Sequence, residues 1–235
     1  MLEVEILRYC PGKDVEPYFE TFTIPLEKGV TVFGVLNYIR KNLDESLAYK
    51  IYCTNQQCGE CAVVLNGKPV LACDEMVTTD HVVLKPLTGF PVVKDLVIDT
   101  DTMLKQQWAE LPPLDGTRRN WAFLTEEEQN TVFMAGRCMG CSICQSICPL
   151  YKEGQEVLAG PGFYVALSQY LLRAGTEKEM EAVLTKAVQS DILKCTACKH
   201  CSENCPQGIE PFKVIAIILK LIPKHTNTPI NSSKL

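Results

Sequence analysis

Polar and apolar residues alternate from the first positions of this chain. Leu2, Val4 and Ile6 fall on one side and Glu3, Glu5 and Leu7 on the other, and Tyr18 to Ile24 is rich in aromatic and β-branched residues. With Pro11-Gly12 between them as turn chemistry, the two runs predict the strands of a hairpin. The period then changes to helical. Val32, Val35, Leu36, Ile39 and Leu43 share one face behind a candidate N-cap, Thr31, although Gly34 weakens this helix from within. Ala62 to Leu65 and Val70 to Ala72 flank Asn66-Gly67, a strong two-residue hairpin signal, and His81 to Leu84 supplies a further strand.

The second half reads as mostly helical. Thr125 followed by Glu126, Glu127 and Glu128 is a capping signature whose acidic residues suit a helix N-terminus. The helix it starts should deliver Cys138. Tyr164 to Arg173 and Glu177 to Val188 have helical character on either side of Gly175, and Phe212 to Ile222 is apolar on most faces. Burial in a core is the plainer account of that last helix; a docking surface for a membrane-associated partner is the sharper one. Between the halves, Thr88 to Trp108 should lead out of the sheet into a helix, which Leu111-Pro112-Pro113 and Asp115-Gly116 break. We therefore expect domains at 1–104 and 105–222 and a disordered tail at 223–235, rich in Asn, Ser, Thr and Pro.

Composition narrows the function classes. A net charge of -5 leaves no basic footprint for nucleic acid, and no secretory or twin-arginine signal opens the sequence. The longest apolar run, Val214 to Leu219 between Lys213 and Lys220, is far too short to span a bilayer. The expectation is a cytoplasmic protein, held at the inner face of the cell membrane through partner subunits. An odd total of 13 cysteines points to thiolates in a reducing compartment rather than to disulfides.

The spacing of those cysteines carries the chemistry. Cys138, Cys141, Cys144 and Cys148 precede Pro149, and Cys195, Cys198, Cys201 and Cys205 precede Pro206. Each run is C-x2-C-x2-C-x3-C-P, the bacterial ferredoxin pattern, in which the fourth cysteine of each run crosses to the other cluster. Cys138, Cys141, Cys144 and Cys205 are thus assigned to one 4Fe-4S cluster, and Cys148, Cys195, Cys198 and Cys201 to a second. Structural zinc would favour paired half-sites instead of three close cysteines and a distant fourth. Nearer the N-terminus, Cys53, Cys58, Cys61 and Cys73 have the plant-type 2Fe-2S spacing with a shorter last gap, and Gly59 lets the backbone close tightly there. Amides of Thr54 to Glu60 are placed to hydrogen-bond the sulfurs. Cys10 fits no pattern and reads as a packed thiol, His81 as structural, and His200 as a solvated loop residue. The fold class is α+β: an N-terminal β-grasp 2Fe-2S ferredoxin domain, then an all-α domain of bacterial ferredoxin type holding two cubanes.

The order of motifs resembles the iron-sulfur subunits of succinate dehydrogenases and fumarate reductases over nearly the whole chain. The matching residues are Cys53-x4-Cys58-Gly59-Glu60-Cys61, Leu71-Ala72-Cys73, Phe90-Pro91-Val92-Val93-Lys94-Asp95-Leu96-Val97, both cysteine runs, and Gly160-Pro161. The resemblance implies an electron-transfer subunit without catalytic residues of its own, relaying electrons singly, by way of the 2Fe-2S cluster and the two cubanes, between an FAD-containing flavoprotein and a membrane-associated or thiol/disulfide-linked partner. Two departures stand out. Common members lack a cysteine at the position of Cys198 and hold a 3Fe-4S cluster there. They also follow the crossing Cys-Pro with a serine and tryptophans that help bind quinone, where this chain has Leu150, Tyr151, Lys152 and Glu153, and they carry a histidine where it has Thr196. These changes are similar to a non-standard branch whose partner is a cysteine-rich subunit like that of heterodisulfide reductase. Subunits of a thiol-linked fumarate reductase or a hydroxyacid oxidase are the nearest rivals, and a zinc-stapled interaction module the rival from another class.

Overall fold

The computed structural model describes residues 1–25, 29–101, 124–151 and 159–226. The expected boundary near residue 104, the breaks at Leu111-Pro112-Pro113 and Asp115-Gly116, Lys152 and Glu153, and the end of the tail lie outside them. The described chain falls into two compact units: Met1–Thr100 with Met139–Ser146, and Asp101–Cys138 with Ile147 onward.

The first unit is built on a mixed five-stranded sheet. Strand β1 (Leu2–Arg8) pairs antiparallel with β2 (Tyr18–Ile24), and β3 (Ala62–Leu65) pairs antiparallel with β4 (Lys68–Leu71). β5 (His81–Lys85) lies between the pairs, parallel to β1 and antiparallel to β3, giving the order β2-β1-β5-β3-β4. Alternation dictates the core face: Leu2, Val4, Ile6, Phe22, Ile24, Val82 and Leu84 are buried. Asn66 and Gly67 both take positive φ, as a two-residue hairpin of primed type requires. Helix α1 (Val32–Asn42) begins at Thr31, whose hydroxyl accepts from the Gly34 amide at 3.1 Å. Its residues Val32, Val35, Leu36 and Ile39 are buried. Leu43 does not continue the stripe; it caps the helix and is half exposed.

Two features of this unit were not expected. The segment after Phe90 forms a short hairpin, β6 (Val92–Lys94) and β7 (Val97–Ile98), turned by Asp95 at φ 48°. The alternation of β1 also carries its inward face one residue further, to Arg8, which is 5% exposed. Arg8 Nε donates to Asp95 at 3.1 Å and its other nitrogens reach Glu20, Asp44 and Ser46. Asp95 also accepts from the amides of Tyr9 at 3.2 Å and Ala48 at 2.9 Å. Burial disfavours charge on Arg8, but its hydrogen bonds to Asp44 and Asp95 outweigh that and hold its pKa above the ordinary value.

In the second unit, helix α2 (Glu126–Ala135) opens with a complete capping box, Thr125 with Glu128, and releases the chain at Gly136, two residues before Cys138. Helix α4 (Pro161–Leu171) starts at a proline suited to its first turn, and α5 (Glu177–Gln189) carries a second capping box, Thr176 with Glu179. The short helix α3 (Ile143–Ser146) belongs to the first unit, and α6 (His200–Glu203) lies inside the last cysteine run. The last helix, α7 (Pro211–His225), buries Val214, Ile215, Ile217, Ile218, Leu219, Leu221 and Ile222 in one core with Phe163, Leu167, Leu171, Val183, Leu184 and Ile192. Its apolar faces are thus used within the unit. It also runs through Pro223, so the start of the expected disordered tail is helical to His225.

Candidate iron-sulfur centres

In the first unit the loop between α1 and β3 wraps around Cys53. The amides of Gln57 and Cys58 each donate to its Sγ at 3.3 Å. With the Asn55 amide as the largest contributor, these donors lower the Cys53 pKa to about 6, so the thiolate is favoured before any metal arrives. Cys61 and Cys73 lie side by side: burial first, then the proximity of Cys73 and Cys58, pushes the Cys61 thiol up to about 12. Thr54, Gln56 and Gly59 have positive φ. Left-handed backbone at non-glycine residues costs about 1–3 kcal/mol each. Here it turns successive N–H groups inward, the concave arrangement that receives anionic sulfur. A donor set of four cysteines, amides aimed at sulfur and a glycine, Gly59, without room for a Cβ fit a 2Fe-2S cluster.

In the second unit Cys148, Cys195, Cys198 and Cys201 line one cavity, walled by Leu150, Pro161, Tyr164, Phe212 and Ile215. Burial raises the Cys148 thiol, with the nearby Cys198 and Cys195 adding to it, and pushes Cys201 up to about 11. Such thiols give up their protons when iron takes the proton's place. Apolar walls and converging sulfurs fit a cubane, and Cys198 lines the same cavity as the other three cysteines. Cys198 itself is exposed while Cys201 is buried, so the cavity has a wet and a dry side. Tyr164, fully buried, donates its hydroxyl to the Ser190 carbonyl.

The two cysteine runs also match in backbone. Gly140 and Ser142 take φ of 72° and 62°, and the equivalent Ala197 and Lys199 take 58° and 65°. The same left-handed geometry at equivalent positions, glycine at one and non-glycine residues at three, is best explained by a shared task, the presentation of amides to a cluster. The remaining run cysteines are divided between the units: Cys141 and Cys144 belong to the first, Cys138 and Cys205 to the second. Cys10 sits in a turn closed by Asp14, outside every cysteine loop. His200 is exposed, and His81, also exposed, pairs with Glu5 at 2.8 Å.

Sequence reasoning missed the residues that hold these loops. Ser146 takes the Thr88 amide at 3.0 Å, and Thr88 Oγ1 bonds the Ser146 carbonyl at 3.1 Å. Gly59 meets Met139 and Cys141 with no space for a Cβ. Only the glycine itself could have signalled such a contact.

A family model described as a 2Fe-2S iron-sulfur cluster binding domain matches residues 3–105, and one described as a 4Fe-4S dicluster domain matches residues 134–209. The fumarate reductase iron-sulfur subunit of Mycobacterium tuberculosis is 30% identical over 90% of this chain and 89% of its own length. The mitochondrial succinate dehydrogenase iron-sulfur subunit of Dictyostelium discoideum is 30% identical over 93% and 81%. The chain belongs to the iron-sulfur subunits of succinate dehydrogenases and fumarate reductases. Within this family it is an electron-transfer subunit of an oxidoreductase complex. A subunit of the CoM/CoB fumarate reductase of Methanothermobacter marburgensis is 34% identical over 89% of this chain, which spans 42% of that longer protein. A chain of the Mycobacterium smegmatis Sdh1 complex shares the fold, with a TM-score of 0.78 at 22% identity and 98% coverage of both chains. Among the described residues no helix is long and apolar enough to cross a membrane.

Proposed function

We propose that this subunit carries electrons between an FAD-containing subunit and a thiol- or disulfide-linked acceptor, using one 2Fe-2S and two 4Fe-4S clusters. Bound in these loops, the clusters supply one-electron carriers in series. The ligand sets are Cys53, Cys58, Cys61 and Cys73; Cys138, Cys141, Cys144 and Cys205; and Cys148, Cys195, Cys198 and Cys201. The chain's own contribution is to fix spacing, to exclude water with residues such as Tyr164 and Ile215, and to tune each centre through amides such as those on Cys53.

The observation that carries this reading is Cys198 lining the same cavity as Cys148, Cys195 and Cys201. A fourth thiol favours a complete cubane over the 3Fe-4S form. The similarity to a relative named for CoM and CoB supports a thiol-linked acceptor, as does the absence of the quinone-associated residues at Leu150, Tyr151 and Thr196. That acceptor would be a cysteine-rich, heterodisulfide reductase-like subunit, and membrane association would come through it. Low-temperature EPR of anaerobically purified protein, with an iron and acid-labile sulfide count, tests the proposal. Signals of 2Fe-2S and interacting 4Fe-4S clusters on reduction, with no 3Fe-4S signal when oxidised, are expected. A persistent oxidised 3Fe-4S signal, or a colourless zinc protein, would overturn it.

A further inference from the structure

We infer that Gly59 is the positioning residue that sets the separation between the 2Fe-2S loop and the segment bearing Cys141, and that this contact is the electronic junction between the first two centres. The inference rests on the ligand sets proposed above.

Gly59 is buried in the first unit between two ligand cysteines, Cys58 and Cys61. A Cβ there would lie 2.9 Å from the Met139 carbonyl oxygen, 3.0 Å from Cys141 Cβ and 3.1 Å from Cys141 Cα. Those neighbours are backbone and the root of a side chain, so they can yield only if residues 139–141 move. The far end of the same segment is pinned to the same unit by Thr88 and Ser146. Held at both ends, residues 139–146 belong to the sheet unit, while Cys138 and Cys148 are assigned to the other. The proposed ligands Cys58 and Cys141 are thereby joined through one glycine and one van der Waals contact. Electron exchange falls steeply with distance, and no shorter junction is available than one without a side chain. Gly59 thus serves spacing in addition to the tight turn that its φ of +75° permits.

Gly12, in the turn between β1 and β2 of the same unit and outside every cysteine loop, provides the control. Its φ is +82°, but a Cβ there meets nothing within 4 Å. Gly12→Ala adds left-handed strain without pushing loop and segment apart, whereas Gly59→Ala does both. Thr88→Val, which removes hydrogen bonds to Ser146 and leaves Gly59 intact, loosens the segment from its other end and keeps the test alive if Gly59→Ala does not fold. The experiment is EPR of the whole complex, reading iron content and the microwave power that half-saturates the reduced 2Fe-2S signal. Relaxation of that signal is accelerated by a paramagnetic neighbour. Expected is full iron content in Gly59→Ala with half-saturation at lower power, a smaller shift the same way in Thr88→Val, and none in Gly12→Ala. Unchanged saturation in fully loaded Gly59→Ala and Thr88→Val, or an equal shift in Gly12→Ala, would overturn the inference. Wild-type protein lacking either signal would instead refute the cluster assignment beneath it.

Discussion

Replacing Arg8 by methionine keeps the length of the side chain and deletes the charge at the centre of the first unit. Arg8 and Asp95 have side chains only 6% and 3% exposed, so they lie in the regime where removing one partner strands a buried charge, at a cost of about 3–5 kcal/mol. Asp95 would keep the amide donors of Tyr9 and Ala48, which places the loss near the lower end. Glu20, 40% exposed, is screened and adds less than about 1 kcal/mol. The expected destabilisation is therefore about 3–4 kcal/mol, a large share of the ~5–15 kcal/mol that holds a domain together. Anaerobic urea unfolding followed by the EPR signal of the reduced 2Fe-2S centre reports on this unit, and the midpoint should fall by about 1 M or more. The double variant Arg8→Met/Asp95→Leu should recover much of the loss, because no charge is left stranded. Acid adds a sign. Burial acts to raise the Asp44 pKa, but its hydrogen bonds with Ser46 and Arg8 outweigh this and hold it below the ordinary carboxylate value. Its contribution is full above the unfolded value of about 3.9 and fades as pH falls through the folded one, so the difference between wild type and Arg8→Met should narrow as pH drops below about 4. A loss under about 1 kcal/mol at neutral pH would refute the reasoning.

Three further outcomes are expected. Cys198→Ser should reduce the iron count by altering or losing the second cubane while leaving the 2Fe-2S EPR signal intact; disappearance of the 2Fe-2S signal would contradict the ligand sets. Tyr49→Phe should leave stability unchanged or raise it by up to ~1 kcal/mol in thermal unfolding, because the buried Tyr49 hydroxyl has no hydrogen-bond partner among the described residues and its ring still packs on Phe33 and Arg40. Gly67→Ala should destabilise the β3–β4 hairpin by about 1–2 kcal/mol, since φ of +85° strains any side chain there even with open space around it; an unchanged urea midpoint would count against the primed-turn reading.

Local grammar made much of this fold legible. Thr31, Thr125 and Asn66-Gly67 each announce a boundary through chemistry that acts within four residues, and all three act as their patterns require. Cysteine spacing is local in the same sense, because three cysteines of each run fall within seven consecutive positions. What escaped notice depends on residues distant in sequence. Arg8 closes the alternating first strand, and its burial is decided by Asp95, 87 residues away. The Phe90 to Val97 stretch, expected to lead into a helix, became a hairpin because Asp95 ties it back to β1 and to Ala48. Pro223 read as the end of α7, but packing of Leu219, Leu221 and Ile222 in the core carries the helix past it. Near the centres, the partition of residues 138–148 between two units has no signature in C-x2-C-x2-C-x3-C at all.

The parallel pairing of β1 with β5 bears on the order in which the molecule is made. Glu3 is paired with His81, and Thr88 is bonded to Ser146, so neither contact exists until the later residue has left the ribosome. The first strand waits through the synthesis of the whole Cys53 to Cys73 region for its neighbour, and such long-range closures are slow. By then the cysteines of the 2Fe-2S loop are all present, while the segment that will cover Gly59 has not yet been translated. Cofactor loading of that loop thus has an open interval during biogenesis, on the side that residues 139–146 later seal.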